Sequence, residues 1–230
     1  MKKIPPIIIL AGGKATRLRP LTKNIPKSMV LVNKKPFIEY QLNQLKKYNF
    51  ERIIISTGYK SKIIENYIKK KLDKKIIIIK DKKKNIGTGA AIKECVKKIK
   101  KDFFVIYGDS YLNINYEEVY KKFLKKKKNF LITVFKNQNK YDKSNLFIKS
   151  NIVLEYNRNS SMAKHIDYGL SCMDKKIFRN ISSKSFDLKK IIINQIEDND
   201  ISIYETKNRF YEIGNIKSLN QFTKYAKKKL

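Results

Sequence analysis

Cysteine is scarce in this 230-residue chain: Cys95 and Cys172 are its only two, and neither belongs to a C-x-x-C pair. Two cysteines are too few for a disulfide framework, and a reducing compartment suits them. Histidine is scarcer still. His165 stands alone, and no partner pattern marks it as a metal ligand or a base. Long apolar runs are missing as well, since no later segment approaches the roughly 20 residues that a membrane-spanning helix needs. The N-terminus, Met1-Lys2-Lys3 followed by Ile4-Pro5-Pro6-Ile7-Ile8-Ile9-Leu10, mimics the start of a secretory signal. Its apolar run is short and leads directly into Ala11-Gly12-Gly13-Lys14, so a buried first strand is the better reading and a cytoplasmic location is the expectation. No internal repeat is found, and in particular no hexapeptide repeat of a β-helix.

Acidic residues are few beside basic ones, 20 against 53, which leaves a formal charge of +33. Such a charge usually points to nucleic acid or an anionic surface. Here the lysines gather on the polar faces of helices and in loops, as in Lys69-Lys70-Lys71, Lys125-Lys126-Lys127-Lys128 and Lys227-Lys228-Lys229. No helix-turn-helix signature, paired cysteine and histidine ligands or interleaved aromatic platform accompanies them. A solvated basic surface is expected, with no specific nucleic-acid partner.

The length suits one substantial core rather than two full-sized domains. Along it, aliphatic runs alternate with helical patterns. Strands are expected at 7–10, 53–55, 76–79, 103–107 and 130–135, and a short extended piece at 29–32. Helices are expected after Pro36, with Phe37, Ile38, Leu42 and Leu45 on one face, around Ile63 to Ile68, around Ala91 to Val96, and over 117–127. This rhythm implies βαβ units and a mainly parallel central sheet flanked by helices, an α/β fold. Beyond residue 135 it changes to extended pieces at 145–148, 152–155 and 166–173. A helix over 188–196, a strand at 201–204 and a final helix over 216–225 follow. Residues 1–135 and 136–230 thus form two halves of one domain.

The stretch Leu10-Ala11-Gly12-Gly13-Lys14-Ala15-Thr16-Arg17-Leu18-Arg19-Pro20 is the most informative. A strand feeds two adjacent glycines, whose small size lets a backbone approach a nucleotide and whose amides can hold phosphate oxygens. Lys14 and Arg17 supply positive charge, and arginine makes forked contacts to phosphate. The spacing matches neither the P-loop nor the dinucleotide-binding glycine motif. By chemistry alone it fits phosphate binding or a tight surface turn.

The segment resembles the signature loop of the sugar-nucleotide pyrophosphorylases. The likeness continues through Pro26-Lys27-Ser28-Met29, Gly87-Thr88-Gly89-Ala90-Ala91, Gly108-Asp109 and Arg209-Phe210-Tyr211-Glu212-Ile213-Gly214. It implies a Rossmann-like, GT-A-like nucleotidyltransferase fold with a small inserted sugar-binding region. It further implies that Leu10, Ala11, Gly12, Gly13, Lys14, Thr16 and Arg17 hold the nucleotide, and that Gly87, Thr88 and Gly89 accommodate base and ribose. Catalysis falls to Arg17, Lys27 and Asp109, and Asp109 with Glu212 would bind Mg2+. Three departures stand out. Ala15 replaces a usual glycine, a strain if the position requires positive φ; Glu212 replaces a usual aspartate, one methylene shorter; Lys82 stands where an acid is common.

The middle of the chain, Glu155-Tyr156-Asn157-Arg158 and His165-Ile166-Asp167-Tyr168-Gly169, resembles the sugar-binding half of small bacterial enzymes acting on D-glycero-D-manno-heptose 1-phosphate. Arg158 would hold the incoming phosphate and Asp167 the sugar hydroxyls. The implied partners are a nucleoside triphosphate, with GTP first, and a sugar 1-phosphate, in the supply of surface glycans. The alternatives are a UTP- or dTTP-dependent hexose enzyme, a cytidylyltransferase and a noncatalytic nucleotide-sugar sensor. A homo-oligomer stays open. Asp109-Ser110-Tyr111 lacks the second acid of the Asp-x-Asp motif expected of a glycosyltransferase.

Overall fold

The computed structural model describes residues 2–81 and 86–230, so Lys82 lies outside the described residues. In chain order the elements begin with β1 (Ile7–Leu10), β2 (Leu31–Val32), β3 (Lys35–Pro36), α1 (Phe37–Leu45), β4 (Ile53–Thr57), α2 (Ser61–Lys69) and β5 (Ile76–Lys80). They continue with α3 (Thr88–Val96), β6 (Asp102–Tyr107), β7 (Ser110–Leu112), α4 (Tyr116–Lys126), β8 (Phe130–Lys136) and β9 (Leu146–Lys149). The last are β10 (Ile152–Tyr156), β11 (His165–Asp174), α5 (Leu188–Glu197), β12 (Ile201–Thr206), β13 (Phe210–Glu212) and α6 (Ile216–Lys229). The chain divides into two compact units. One comprises Met1–Asn85, Ile106–Tyr111 and Phe210–Leu230; the other comprises Ile86–Val105 and Leu112–Arg209.

In the first unit the isoleucine runs become neighbouring parallel strands. Ile7, Ile8 and Ile9 pair with Ile53, Ile54 and Ile55, which pair in turn with Ile76, Ile77 and Ile78. Ile7, Ile8 and Ile9 are fully buried, as a continuous apolar run covered on both faces must be. Helix α1 starts immediately after Pro36, whose fixed φ suits a helix entry. Its Phe37 and Tyr40 meet the ring of Phe222 from α6 edge-on, at centroid distances of 5.0 and 5.4 Å. Leu18, Val30, Val32, Ile213 and Leu219 close the same core. Each large side chain so buried contributes about 1.5–3 kcal/mol. The segment expected to be extended at 29–32 is so only from Leu31. Lys27–Met29 forms a 3-10 turn, closed by Met29 N–H to Pro26 C=O at 2.9 Å and Val30 N–H to Lys27 C=O at 3.1 Å.

The second unit is built differently. Strands β9 and β10 are antiparallel, joined through Ser150 and Asn151, both at positive φ (49° and 63°), as a tight hairpin requires. Strand β11 runs antiparallel to β8 and β9, while β12 runs parallel to β8. The parallel pairing expected from the βαβ rhythm therefore holds in the first unit, and antiparallel pairs dominate the second. The sheet is mixed and flanked by helices. Helix α4 buries Tyr116, Val119 and Phe123 and turns its lysines outward. Its start is fixed by Asn115, whose side chain accepts from the N–H groups of Glu117 and Glu118. No helix among the described residues is long and apolar enough to cross a membrane.

Candidate active site

Three parallel strands of the first unit end at small or acidic residues. Leu10 passes into Ala11, whose N–H reaches Ser56 C=O at 2.8 Å, and Gly12 C=O accepts from Tyr59 N–H at 3.1 Å. A side chain at Gly12 would stand 3.1 Å from the carboxylate of Asp81 and 3.3 Å from the amide nitrogen of Gly58. One at Gly13 would meet nothing within 4 Å. Gly12 is thus small because the protein packs against it, whereas Gly13 faces open space, where a ligand has room. Lys14, Thr16 and Arg17 are exposed beside it. Ala15 takes the left-handed conformation at φ 50° and ψ 50°, so the substitution for glycine falls at a position that favours glycine. Its carbonyl accepts from the Thr22 hydroxyl at 2.8 Å, and Leu18, fully buried, anchors the following turn.

Strand β6 delivers Asp109 through a turn closed by Gly108 N–H to Leu10 C=O at 3.0 Å. Gly108 has no room for a side chain, since its first carbon would stand 2.6 Å from that same carbonyl. The Asp109 carboxylate forms an ion pair with the Lys27 ammonium, which the 3-10 turn after Pro26 carries. Lys27 and Asp109 are 82 residues apart in sequence, and the fold brings them into contact. The backbone carbonyl of Asp109 accepts from Ile213 N–H at 3.0 Å, which sets Glu212 on the neighbouring strand β13. The longer arm of Glu212 has a local accommodation in Gly214. A side chain there would stand 2.8 and 2.9 Å from the two carboxylate oxygens.

Asp81, which sequence reasoning missed, follows β5 and is partly buried against Gly12 and Gly58. Burial pushes its carboxyl up to about 6, opposed by a 3.5 Å contact from the Ser56 hydroxyl. In sequence it reads as the first residue of a polar, lysine-rich loop. The signal available was its place directly after an isoleucine-rich strand, much as Asp109 stands two residues past β6.

In the second unit Gly87 precedes α3 at φ 81°, and α3 begins at Thr88, so Thr88 and Gly89 are helical rather than part of the loop. Their surroundings are occupied by the chain itself. A side chain at Gly89 would fall 2.5 Å from the Phe186 ring, and Asp187 accepts from the Thr88 N–H at 3.1 Å and its hydroxyl at 3.3 Å. Asp187 is a second residue that the sequence did not mark. Arg158 is exposed and forms a 2.6 Å ion pair with Asp142. Asp167 sits where the β11–β8 register breaks, between residues 167 and 171. Its carboxylate accepts from Gly169 N–H at 2.9 Å and the Tyr156 hydroxyl at 3.1 Å, while burial pushes its carboxyl up to about 6. His165 lies 3.7 Å from Glu205; desolvation holds its pKa below the ordinary imidazole value, against the pull of that carboxylate.

The fold therefore joins Lys27, Asp109 and the strand bearing Glu212 in the unit that also carries the glycine loop. Gly87, Thr88, Gly89, Arg158 and Asp167 belong to the other unit. Among the described residues no group of three or more histidine, cysteine, aspartate or glutamate side chains forms a metal cage. The family model of nucleotidyl transferases matches residues 7–228.

The chain belongs to the nucleotidyl transferase family. Among other members, the D-glycero-alpha-D-manno-heptose 1-phosphate guanylyltransferase of Campylobacter jejuni is 39% identical over 108 residues, 47% of this chain and 49% of that protein. The enzyme of the same name from Aneurinibacillus thermoaerophilus is 32% identical over 116 residues, 50% of each chain. The chain spans about half the length of the curated relatives it matches. The crystal structure of HddC from Yersinia pseudotuberculosis is similar over 96% of this nucleotidyl transferase and 99% of its own chain, with a TM-score of 0.74 and 28% identity. HddC has also been solved in complex with GMP-PN, at 27% identity.

Proposed function

We propose that this nucleotidyl transferase joins a nucleoside monophosphate to a sugar 1-phosphate and releases pyrophosphate, with GTP and D-glycero-D-manno-heptose 1-phosphate as its substrates. The observation that carries the reading is the Lys27–Asp109 pair at the end of β6, in one unit with the open backbone at Gly13. A phosphate oxygen of the sugar attacks the α-phosphorus, the new phosphorus–oxygen bond forms, and the bond to the pyrophosphate breaks. Nucleophile and leaving group are both already ionised near neutral pH, so positioning and charge stabilisation carry the reaction and no side-chain base is needed. Arg17 and Lys27 would stabilise negative charge at the α-phosphate. Gly12, Gly13, Lys14 and Thr16 would seat the remaining phosphates. In the other unit Arg158 would hold the sugar phosphate, and Asp167 would accept from sugar hydroxyls.

Asp109 and Glu212 offer oxygen ligands only, and Gly214 leaves space for the Glu212 carboxylate. That donor set fits Mg2+, which usually takes one or two carboxylates and completes its shell with phosphate oxygens and water. When bound, it would neutralise charge on the triphosphate.

Guanine is favoured by the names of two of the relatives and by Asp81, a carboxylate acceptor just after β5, because guanine offers ring N–H and amino donors together. The test is pyrophosphate release with Mg2+ across GTP, UTP, dTTP, CTP and ATP, each against heptose, mannose, glucose and N-acetylamino-sugar 1-phosphates. GTP with the heptose phosphate is expected to be the productive pair, and Asp109→Asn should lower its turnover by about 100-fold or more. Turnover by another pair only would replace the substrates and keep the chemistry. Folded protein silent across the whole matrix would sink the reading.

A further inference from the structure

Helix α1 buries two amides among Phe37, Ile38, Tyr40, Leu42 and Leu45. Gln41 is 2% exposed and Gln44 is 7% exposed. Gln44 accepts from the Tyr111 hydroxyl at 3.3 Å. Gln41 makes the more consequential bonds. Its Nε2 donates to Tyr107 C=O at 2.8 Å and to Ser110 C=O at 2.6 Å. These carbonyls belong to the first and last residues of the four-residue turn whose third residue is Asp109. Two backbone bonds hold the interior of the same turn, Gly108 N–H to Leu10 C=O and Ile213 N–H to Asp109 C=O, each 3.0 Å. One side-chain amide thus bridges both ends of the segment that aims the Asp109 carboxylate at Lys27.

The bridge has a local cost. The Oε1 of Gln41 is buried and accepts no hydrogen bond among the described residues, a deficit of about 1–3 kcal/mol that a leucine at this helix position would avoid. A buried polar group that is only partly satisfied inside an apolar face is the kind of local inconsistency that functional sites retain.

We propose that Gln41 is a positioning residue for nucleotidyl transfer: it fixes the Tyr107–Ser110 turn and thereby the direction of the Asp109 carboxylate. The proposal rests on the reading above, in which Asp109 serves the reacting phosphates. Gln41 itself touches neither substrate nor metal. Its removal leaves substrate affinity in place and misaims one carboxylate, so the loss falls on turnover.

The decisive variant is Gln41→Met, which keeps length and bulk and removes both donors. Its kcat should fall about 10–100-fold, the scale of a misplacement near 1 Å, with KM for both substrates within about threefold. In an Asp109→Asn background the same change should cost no further turnover, because the residue acts through Asp109. A kcat within twofold of the parent, or an equal further loss in the Asp109→Asn background, would overturn the proposal. Should Gln41→Met fail to fold, Gln41→Asn is measured in its place, since it keeps an amide too short to span both carbonyls. Hydrogen exchange across residues 107–112 gives a readout independent of turnover. Faster exchange there in the variant is expected, and unchanged exchange refutes the bridge. Absence of turnover in the parent protein would sink nucleotidyl transfer instead, and the exchange measurement would still judge whether Gln41 holds the turn.

Discussion

Ala15 enters the turn that carries Arg17 in a left-handed backbone conformation, held by the Thr22 hydroxyl on its carbonyl. That conformation costs an L-residue about 1–2 kcal/mol. Glycine removes the strain and gives back part of the gain through a freer unfolded chain. Ala15→Gly is therefore expected to stabilise the fold by about 0.5–1 kcal/mol, read as a higher denaturant midpoint at constant slope; a lower midpoint would mean that the methyl group packs usefully. Asp81 carries a different strain. Its folded carboxyl titrates near 6, above the ordinary value of 3.8. Between those values the folded protein keeps a proton that the unfolded chain has lost, so stability falls as pH rises from about 4 to 6 and levels off above that window. Asp167 shares the direction and the window. Asp81→Asn should flatten the decline in melting temperature across it, leaving the part due to Asp167 and to Asp102, whose carboxyl burial also pushes up. Identical pH slopes for parent and variant would show that Asp81 ionises freely in the folded protein.

Elements differed in how plainly the sequence announced them. The strands at Ile7, Ile53 and Ile76 were legible because a fully covered parallel strand needs apolar side chains on both faces and leaves an unbroken run. Helix α1 was legible from Pro36 and the spacing of Phe37, Ile38, Leu42 and Leu45. Strands β7 and β13 were not, since three residues carry no period, although they pair with each other beside the bond from Ile213 N–H to Asp109 C=O. The glycine loop and the Lys27–Asp109 contact were pointed to by resemblance, and Lys27 by its charge alone would have been lost among 53 basic residues. Gln41 and Asp81 were illegible for a physical reason. A glutamine in a helix reads as a solvent position, and an aspartate before a lysine run reads as loop, until tertiary contacts show what each touches. The antiparallel pairing of the second unit was missed because Ile152, Val153 and Leu154 are apolar in succession, which hides the one-sided burial of β10, where Val153 is buried and Ile152 and Leu154 are exposed.

At the scale of the whole molecule the excess of positive charge, +33 over 230 residues, is spread over helix faces and loops. Ion pairs recover little of it. Several of the lysine pairs, such as Lys97 with Glu94 and Lys46 with Asp73, have lysine side chains about half exposed, where an ion pair is worth about 0–1 kcal/mol. The remaining lysines repel one another over a screening length of about 30 Å at 0.01 M salt and about 8 Å at 0.15 M. Adding NaCl from 0.01 to 0.3 M should therefore stabilise the protein. For a chain of this size each kcal/mol of relieved repulsion raises the melting temperature by about 2–4 °C, so a rise of at least that size is expected in a calorimetric or fluorescence melt. The same charge should bind random duplex DNA at 0.01 M salt and release it steeply by 0.2 M, because the attraction is to phosphates alone. A melting temperature that is flat in NaCl would mean that the lysines are too dispersed to interact. DNA binding that survives 0.2 M and depends on sequence would mean that the basic surface is a second site rather than a solvated coat.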